Sequence, residues 1–299
     1  MRFLAAAVLA ATAAAQERDL TFHIDSHLAL VRFQVSPTRD QPLTSLSPNG
    51  ILLLEDGVPQ KIAHFEGGRL YPRTVPVEVA LLFDCSRSVR SAGSLNPCVP
   101  TDGFLDEFPR ATLSIYAFSQ SLVRIATVSR DAAALRTALN RVAAQEGGET
   151  ALFQSILDTV RDTPRGGGAL RMLCVVSDGE ATIPGDELTV PLAAHEAHEL
   201  GVAIFPVLPA APGGVPAMRE HIASVREYLD LAPASGEAIV APATPELLPR
   251  ILRMVADHIR LEYVAGYYPR EPGVAHHVTI VWDGRNRGAI LGGSRVIVP

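Results

Sequence analysis

Apolar and polar positions along this chain follow two regimes. Between residues 20 and 70 the runs read as β structure, with partial alternation. In "LALVRFQVSP", Ala29, Val31, Phe33 and Val35 stand on one side, and Leu28, Leu30, Arg32 and Gln34 on the other. Side chains on a strand alternate in this way. "NGILLLEDGVPQKIAHFEGG" has two apolar runs around Asp56-Gly57, a pair suited to a hairpin turn that needs positive φ. These residues predict a small β unit.

From residue 76 strand-like runs alternate with helical ones. "VEVALLF", "ATLSIYAF", "SLVRIATV", "ALRMLCVVS", "VAIFPVL" and "EAIV" read as strands. "DAAALRTALNRVAA", "TALFQSILDTVRD", "PLAAHEAHELG", "PAMREHIASVREYLDLA" and "TPELLPRILRMVADHIR" read as helices. Leu152, Ile156 and Val160 recur at spacings of four on one helical face. Gly201 suits a helix C-cap, and Thr244 followed by Pro245 suits a helix start. "YAFSQSLVRI" reads as a hairpin. The pattern predicts an α/β fold. Its sheet is doubly wound, six-stranded and mainly parallel, with one antiparallel edge strand and helices on both faces. After residue 262 the strands "LEYVAGYYP", "HHVTIVW" and "SRVIVP" are expected to return to the N-terminal β unit.

The first residues, "MRFLAAAVLAATAAAQERD", combine Arg2, an apolar stretch from Phe3 to Ala15 and small residues before Gln16. This reads as a secretory signal peptide. The stretch is shorter than the roughly 20 residues of a membrane-spanning helix. The expected organisation is a signal peptide over 1–15, a β unit over 16–72, the α/β domain over 73–262 and C-terminal strands over 263–299. The product is expected in the periplasm, outside the cell or on its surface, with no span after signal removal.

Composition narrows the function classes. The chain is 47% hydrophobic and 19% charged, as a globular protein is. A net charge of −6 argues against nucleic acid as a partner, which selects for basic surfaces. Lys61 is the only lysine. In an exported chain cysteines can pair. Cys85 and Cys98 flank a loop, and their spacing leaves a disulfide and two thiols equally open. Cys174, inside an apolar run, reads as a small buried hydrophobe.

Ligands of open α/β sheets sit at the carboxyl ends of strands. Three oxygen-bearing clusters stand at such ends or in loops beside them: Asp84, Ser86 and Ser88 after "VALLF", Thr150 in "EGGETALF", and Asp178 after "LCVV". Two carboxylates and three hydroxyls are hard donors, and Mg²⁺ takes six such oxygens, often keeping some waters. Neutral hydroxyls leave most of the ion's charge uncancelled. Taken alone, D-x-S-x-S is also an ordinary helix cap.

With all five residues in this order, the chain resembles the von Willebrand factor type A domain and its metal-ion-dependent adhesion site (MIDAS). The resemblance runs from about residue 76 to 260 and includes "IYAF" and "VAIFPV". It implies that Ser86 and Ser88 bind Mg²⁺, or Mn²⁺ or Ca²⁺, directly. Thr150 would bind directly or through water, and Asp84 and Asp178 through bridging waters. It implies a non-enzymatic adhesion protein whose ion captures an acidic group on an extracytoplasmic protein or glycan. More narrowly, "EDGVPQ" (Glu55 to Gln60) and "GYYP" (Gly266 to Pro269) make the chain similar to exported VWFA-related proteins of acidobacteria. Two departures stand out. Pro97, Pro100 and Pro109 interrupt the region of the first helix. The ending "LGGSRVIVP" also lacks the arginine and Gly-Tyr of that family.

The same residues admit other readings. A type A scaffold for envelope assembly could carry a vestigial metal site. A haloacid-dehalogenase-type phosphatase would use Asp84 as nucleophile, but Lys61 precedes both acidic motifs rather than lying between them. Cys85 lacks the Cys-x5-Arg spacing of a phosphate loop. His195, His198 and Glu199 miss H-E-x-x-H by one residue and read as a solvated helix face. His276-His277 has no evident partner in sequence, and no G-x-S-x-G elbow occurs.

Overall fold

The computed structural model describes residues 28–36, 46–68, 74–91, 110–129, 131–163, 169–210, 214–232, 239–242, 247–271, 274–282, 289–291 and 296–297. The signal peptide, Cys98, the three interrupting prolines and Thr244-Pro245 lie outside these residues.

Four strands come first: β1 (Ala29–Ser36), β2 (Ile51–Glu55), β3 (Val58–Gln60) and β4 (His64–Gly67). Asp56 and Gly57 join β2 to β3 with φ of 49° and 81°, both left-handed as a type I′ turn requires. The chain then passes to β5 (Val77–Asp84). Glu66 anchors this passage. Its buried carboxylate accepts hydrogen bonds from the Thr74 N–H at 2.8 Å, the Thr74 hydroxyl at 2.5 Å and the Val75 N–H at 3.1 Å. A buried carboxylate is tolerable only with such donors.

Next come α1 (Arg87–Ser91), β6 (Ala111–Phe118), β7 (Leu122–Val128), α2 (Ala132–Ala143) and α3 (Leu152–Asp162). They lead to β8 (Leu170–Val176), α4 (Val190–Leu200) and β9 (Val202–Ala210). The remaining elements are α5 (Gly214–Ser224), α6 (Arg226–Leu229), β10 (Ile239–Pro242) and α7 (Leu247–Leu261). Their strands form one sheet in the order β10-β9-β8-β5-β6-β7. Every pair is parallel except β6–β7.

Both faces of the central strand are covered, which is why it reads as a continuous apolar run. Val79, Leu81 and Phe83 share a core with Leu135 and Leu139 of α2 and Ile251 and Val255 of α7. Ala80 and Leu82 share another with Ile156 and Val160 of α3 and Ala193 of α4. Asp131 caps α2 by accepting from the Ala133 and Ala134 N–H groups, and Gly201 ends α4 at φ 63°. One helical pattern is broken: "PAMREHIASVREYLDLA" splits into α5 and α6 at Val225, φ −106°. Tertiary packing overrides periodicity there, because Val225 and Tyr228 are buried against the second core.

α7 runs without a linker into β11 (Glu262–Tyr267), followed by β12 (Ala275–His276), β13 (Val278–Trp282), β14 (Ala289–Leu291) and β15 (Val296–Ile297). β11 lies between β1 and β4, and β14 flanks β1 on its other side. A second sheet has the order β13-β2-β3, and β12 pairs with β15. Phe33, Leu53, Tyr263, Tyr267 and Ile280 belong to the core that these sheets share. The other face of β1 is covered as well. Leu30 packs on the large core, while Arg32 donates to the Gly201 carbonyl and lies 3.9 Å from Glu262.

Candidate functional site

Strand order reverses beside β5. From it, β6 and β7 run one way and β8, β9 and β10 the other. Counted within the sheet, this is the doubly wound order 3-2-1-4-5-6, whose ligand crevice opens at the carboxyl ends of the two middle strands.

Asp84 closes β5 and is fully buried. One oxygen accepts from the Ser86 N–H at 2.8 Å, and the other from the Ser177 hydroxyl at 2.6 Å. Burial pushes its pKa up to about 6, those hydrogen bonds oppose the rise, and the nearby Asp178 charge adds to it. The site therefore holds a negative charge that the protein only partly compensates.

Alternation at the strand end sorts the next residues. Cys85 turns the other way. Its N–H donates to the Phe118 carbonyl at 2.7 Å, and its Sγ lies in the core 3.6 Å from the Val142 carbonyl. Ser86 is buried, and its Oγ is 3.2 Å from the Oγ of exposed Ser88. The Arg87 N–H donates to the Gly148 carbonyl at 3.2 Å. That bond ties the serine loop to the loop bearing Thr150.

Thr150 is held by its backbone. Its N–H donates to the Thr182 hydroxyl at 2.7 Å, and its carbonyl accepts from the Thr182 and Ile183 N–H groups at 3.0 and 3.3 Å. Its side chain is buried, yet among the described residues its hydroxyl makes no hydrogen bond. Buried hydroxyls ordinarily have partners. Asp178 is half-exposed and accepts from the Glu180 N–H at 3.2 Å. Of the five residues, Ser88 and Asp178 reach solvent, and Asp84, Ser86 and Thr150 are buried. This donor set suits a hard divalent cation: two carboxylates, two serine hydroxyls in contact and one unbonded threonine hydroxyl.

Four supporting residues are not evident in the sequence pattern. Ser177 donates to Asp84 and accepts from the Gly179 N–H at 3.0 Å. Gly179 has φ 84°, and a Cβ there would lie 2.8 Å from Val225 and 2.9 Å from Tyr228. The Tyr228 hydroxyl bridges β8 and β9, donating to the Val175 carbonyl at 2.5 Å and accepting from the Val207 N–H at 3.1 Å. Asp186 caps α3 from a distance, accepting from the Phe153 and Gln154 N–H groups at 2.8 and 3.0 Å. Ala151, the helix's own N-cap residue, offers no such acceptor. Apart from the Ser177–Gly179 bond these contacts are not local in sequence, so no short motif announces them.

Other sequence candidates lie apart from the crevice. His195, His198 and Glu199 are exposed on α4. Burial pushes the Cys174 thiol up to about 12, so it remains a thiol. His276 has partners after all: its Nδ1 is 2.8 Å from Asp56, and its Nε2 is 3.1 Å from the Glu271 carbonyl. Among the described residues no helix is long and apolar enough to cross a membrane.

No protein-family model matches the chain, and no curated protein matches it. Solved structures with a similar chain path include BatB from Bacteroides thetaiotaomicron, at 15% identity, 60% of this chain, 98% of that chain and TM-score 0.41. The vWF domain of the pilus tip protein Mfa5 from Porphyromonas gingivalis matches at 11%, 63% and 97%, with TM-score 0.45. The ArnB paralog VWA2 from Sulfolobus acidocaldarius matches at 13%, 91% and 75%, with TM-score 0.40. At such scores these are likenesses of path, and the weight rests on the strand order and the crevice themselves. By that arrangement the chain has a von Willebrand factor type A-like fold.

Proposed function

We propose that this is an exported binding protein. It holds Mg²⁺, or Mn²⁺ or Ca²⁺, and captures a carboxylate-bearing group of an extracytoplasmic protein or glycan. The observation that carries this reading is the buried, unbonded Thr150 hydroxyl in a loop tied to Ser86 and Ser88, beside the charge of Asp84. Ser86 and Ser88 would hold the cation directly, Thr150 directly or through water, and Asp84 and Asp178 through water. Such a cation supplies a Lewis-acidic position for an acidic partner. Ser177 and the Ser86 N–H keep Asp84 oriented behind it. Arg2 and the apolar run to Ala15 support export.

The same geometry disfavours a phosphatase. A nucleophilic carboxylate needs an open face, whereas Asp84 is sealed from solvent with both oxygens engaged. Those two hydrogen bonds also lend support to a scaffold with a vestigial site, since they satisfy Asp84 without an ion. Calorimetric titration of Mg²⁺ into the wild type and Asp84→Ala decides between cation-dependent binding and the scaffold. Saturable binding in the wild type alone supports the first, and equal heats in both proteins end it.

A further inference from the structure

A second site lies at the other end of the sheet. α3 has 11 residues and spans about 16 Å, whereas β6 has eight and spans about 26 Å. The helix starts beside the carboxyl ends of the strands, where the Ala151 N–H meets the Ser119 carbonyl. It ends at Asp162, which accepts from the Tyr116 hydroxyl at 2.7 Å. Among the described residues no helix covers the amino-terminal part of this sheet face, and its side chains are small: Ala80, Thr112 and Ser114. The result is a cavity of about 250 Å³.

Val79, Ala80 and Met172 give this cavity an apolar side, and a β-bulge supplies polar groups on the other. Register shifts between Ile115 and Tyr116, so that Ile115 faces Ala126 and Tyr116 faces Arg124. Ile125 is the extra residue, and both Ile125 and Ala126 turn to the opposite core. Arg124 and Thr127 consequently share the cavity face, where the guanidinium donates to the Thr127 hydroxyl at 2.9 Å. Bulges re-aim side chains in this manner. Ser114 and Thr127 pair across the strands at 3.4 Å, and Thr112 and Ser129 at 3.3 Å. Each hydroxyl pair uses one hydrogen between its members, which leaves one donor and several lone pairs for a ligand.

The charges at the rim cancel. Arg124 lies 3.2 Å from Asp162, and Glu78 lies 3.1 Å from Arg171. An ionic ligand would have to break one of these pairs. A neutral ligand rich in hydroxyls would instead use the remaining lone pairs of both carboxylates and the free hydroxyl hydrogens. The volume falls below the roughly 300–1,000 Å³ of drug-sized pockets, so the occupant is small. We propose that the groove between the end of α3 and the β6–β7 bulge binds one neutral monosaccharide unit, independently of the cation site.

Saturation-transfer NMR on the full chain tests this, using the methyl glycosides of glucose, mannose, galactose and N-acetylglucosamine in separate samples, with and without EDTA. At least one glycoside is expected to show transfer that EDTA leaves unchanged. Ser114→Val/Thr127→Val keeps strand-compatible shapes and removes two hydroxyls, and it should lower affinity at least about tenfold. Arg124→Met is the second variant, and folding of each is verified by far-UV circular dichroism. The proposal is overturned if no glycoside shows transfer, if affinity survives in a folded variant, or if EDTA abolishes the signal.

Discussion

Ser177 donates its hydroxyl hydrogen to Asp84 at 2.6 Å, across the two strands that meet where the sheet order reverses. Both residues are completely buried. The bond links the two halves of the crevice before any ligand arrives. Ser177→Ala should therefore remove a hydrogen bond to a charged group, worth about 1.5–3 kcal/mol. Urea unfolding in EDTA at neutral pH would measure this, and an unchanged midpoint would count against the role given to Ser177.

Asp84 is costly to the cation-free fold. A rise from 3.8 to about 6 corresponds to a penalty on the order of 3 kcal/mol for the ionised carboxylate, at about 1.4 kcal/mol per unit. The folded pKa exceeds the unfolded one, so stability falls as pH rises from about 4 through 6. Asp84→Asn is expected to be more stable than the wild type in EDTA at pH 7.5, with the gap closing towards pH 4. The same variant should lose any Mg²⁺-induced rise in Tm. A less stable variant in EDTA at pH 7.5 would contradict this view of the buried charge.

Thr150 separates structure from binding. Thr182 and Ile183 grip only its backbone, so Thr150→Val should leave Tm in EDTA close to the wild type. Losing the hydroxyl should lower Mg²⁺ affinity about tenfold or more, the usual scale for groups supporting a metal site. Titration calorimetry with undiminished affinity would remove Thr150 from the donor set.

The small β unit carries its own pH dependence. His276 is held between Asp56, Glu55 and the Glu271 carbonyl, with Tyr267 hydrogen-bonded to Glu55 at 3.2 Å. The hydrogen bond to Asp56 leads the causes that raise the His276 pKa, and the bond from His276 leads those that lower the Asp56 pKa. For His276 the added stability is fully present below the ordinary histidine value and is lost as pH rises through the raised one. The Tm should accordingly fall between pH 6 and pH 8.5, and His276→Gln should flatten that slope. Parallel slopes in the two proteins would dismiss the pair as a contributor.

Much of this architecture is legible in the chain. Leu152, Ile156 and Val160 recur at helical spacing because one face of α3 is buried. Asp56-Gly57 marks its hairpin because few other pairs accept two positive φ values. Asp84 and Ser86 are readable because they follow one another at alternate positions where a strand ends, and Ser88 stands in the first turn of α1 beside Ser86. These are local properties, and a short window contains them.

The tertiary structure alone decided the rest. Ser177, Tyr228 and Asp186 act on residues or elements distant in sequence, so their roles arise only when β8, α6 and the loop before α4 are packed. The break at Val225 interrupts a good helical pattern because Tyr228 must reach the Val175 carbonyl. The bulge at Ile125 turns an ordinary edge hairpin into the wall of a cavity, and nothing in "SLVRIATV" specifies it. Periodicity determines which face of an element is apolar, but which distant groups that face meets is fixed only by packing.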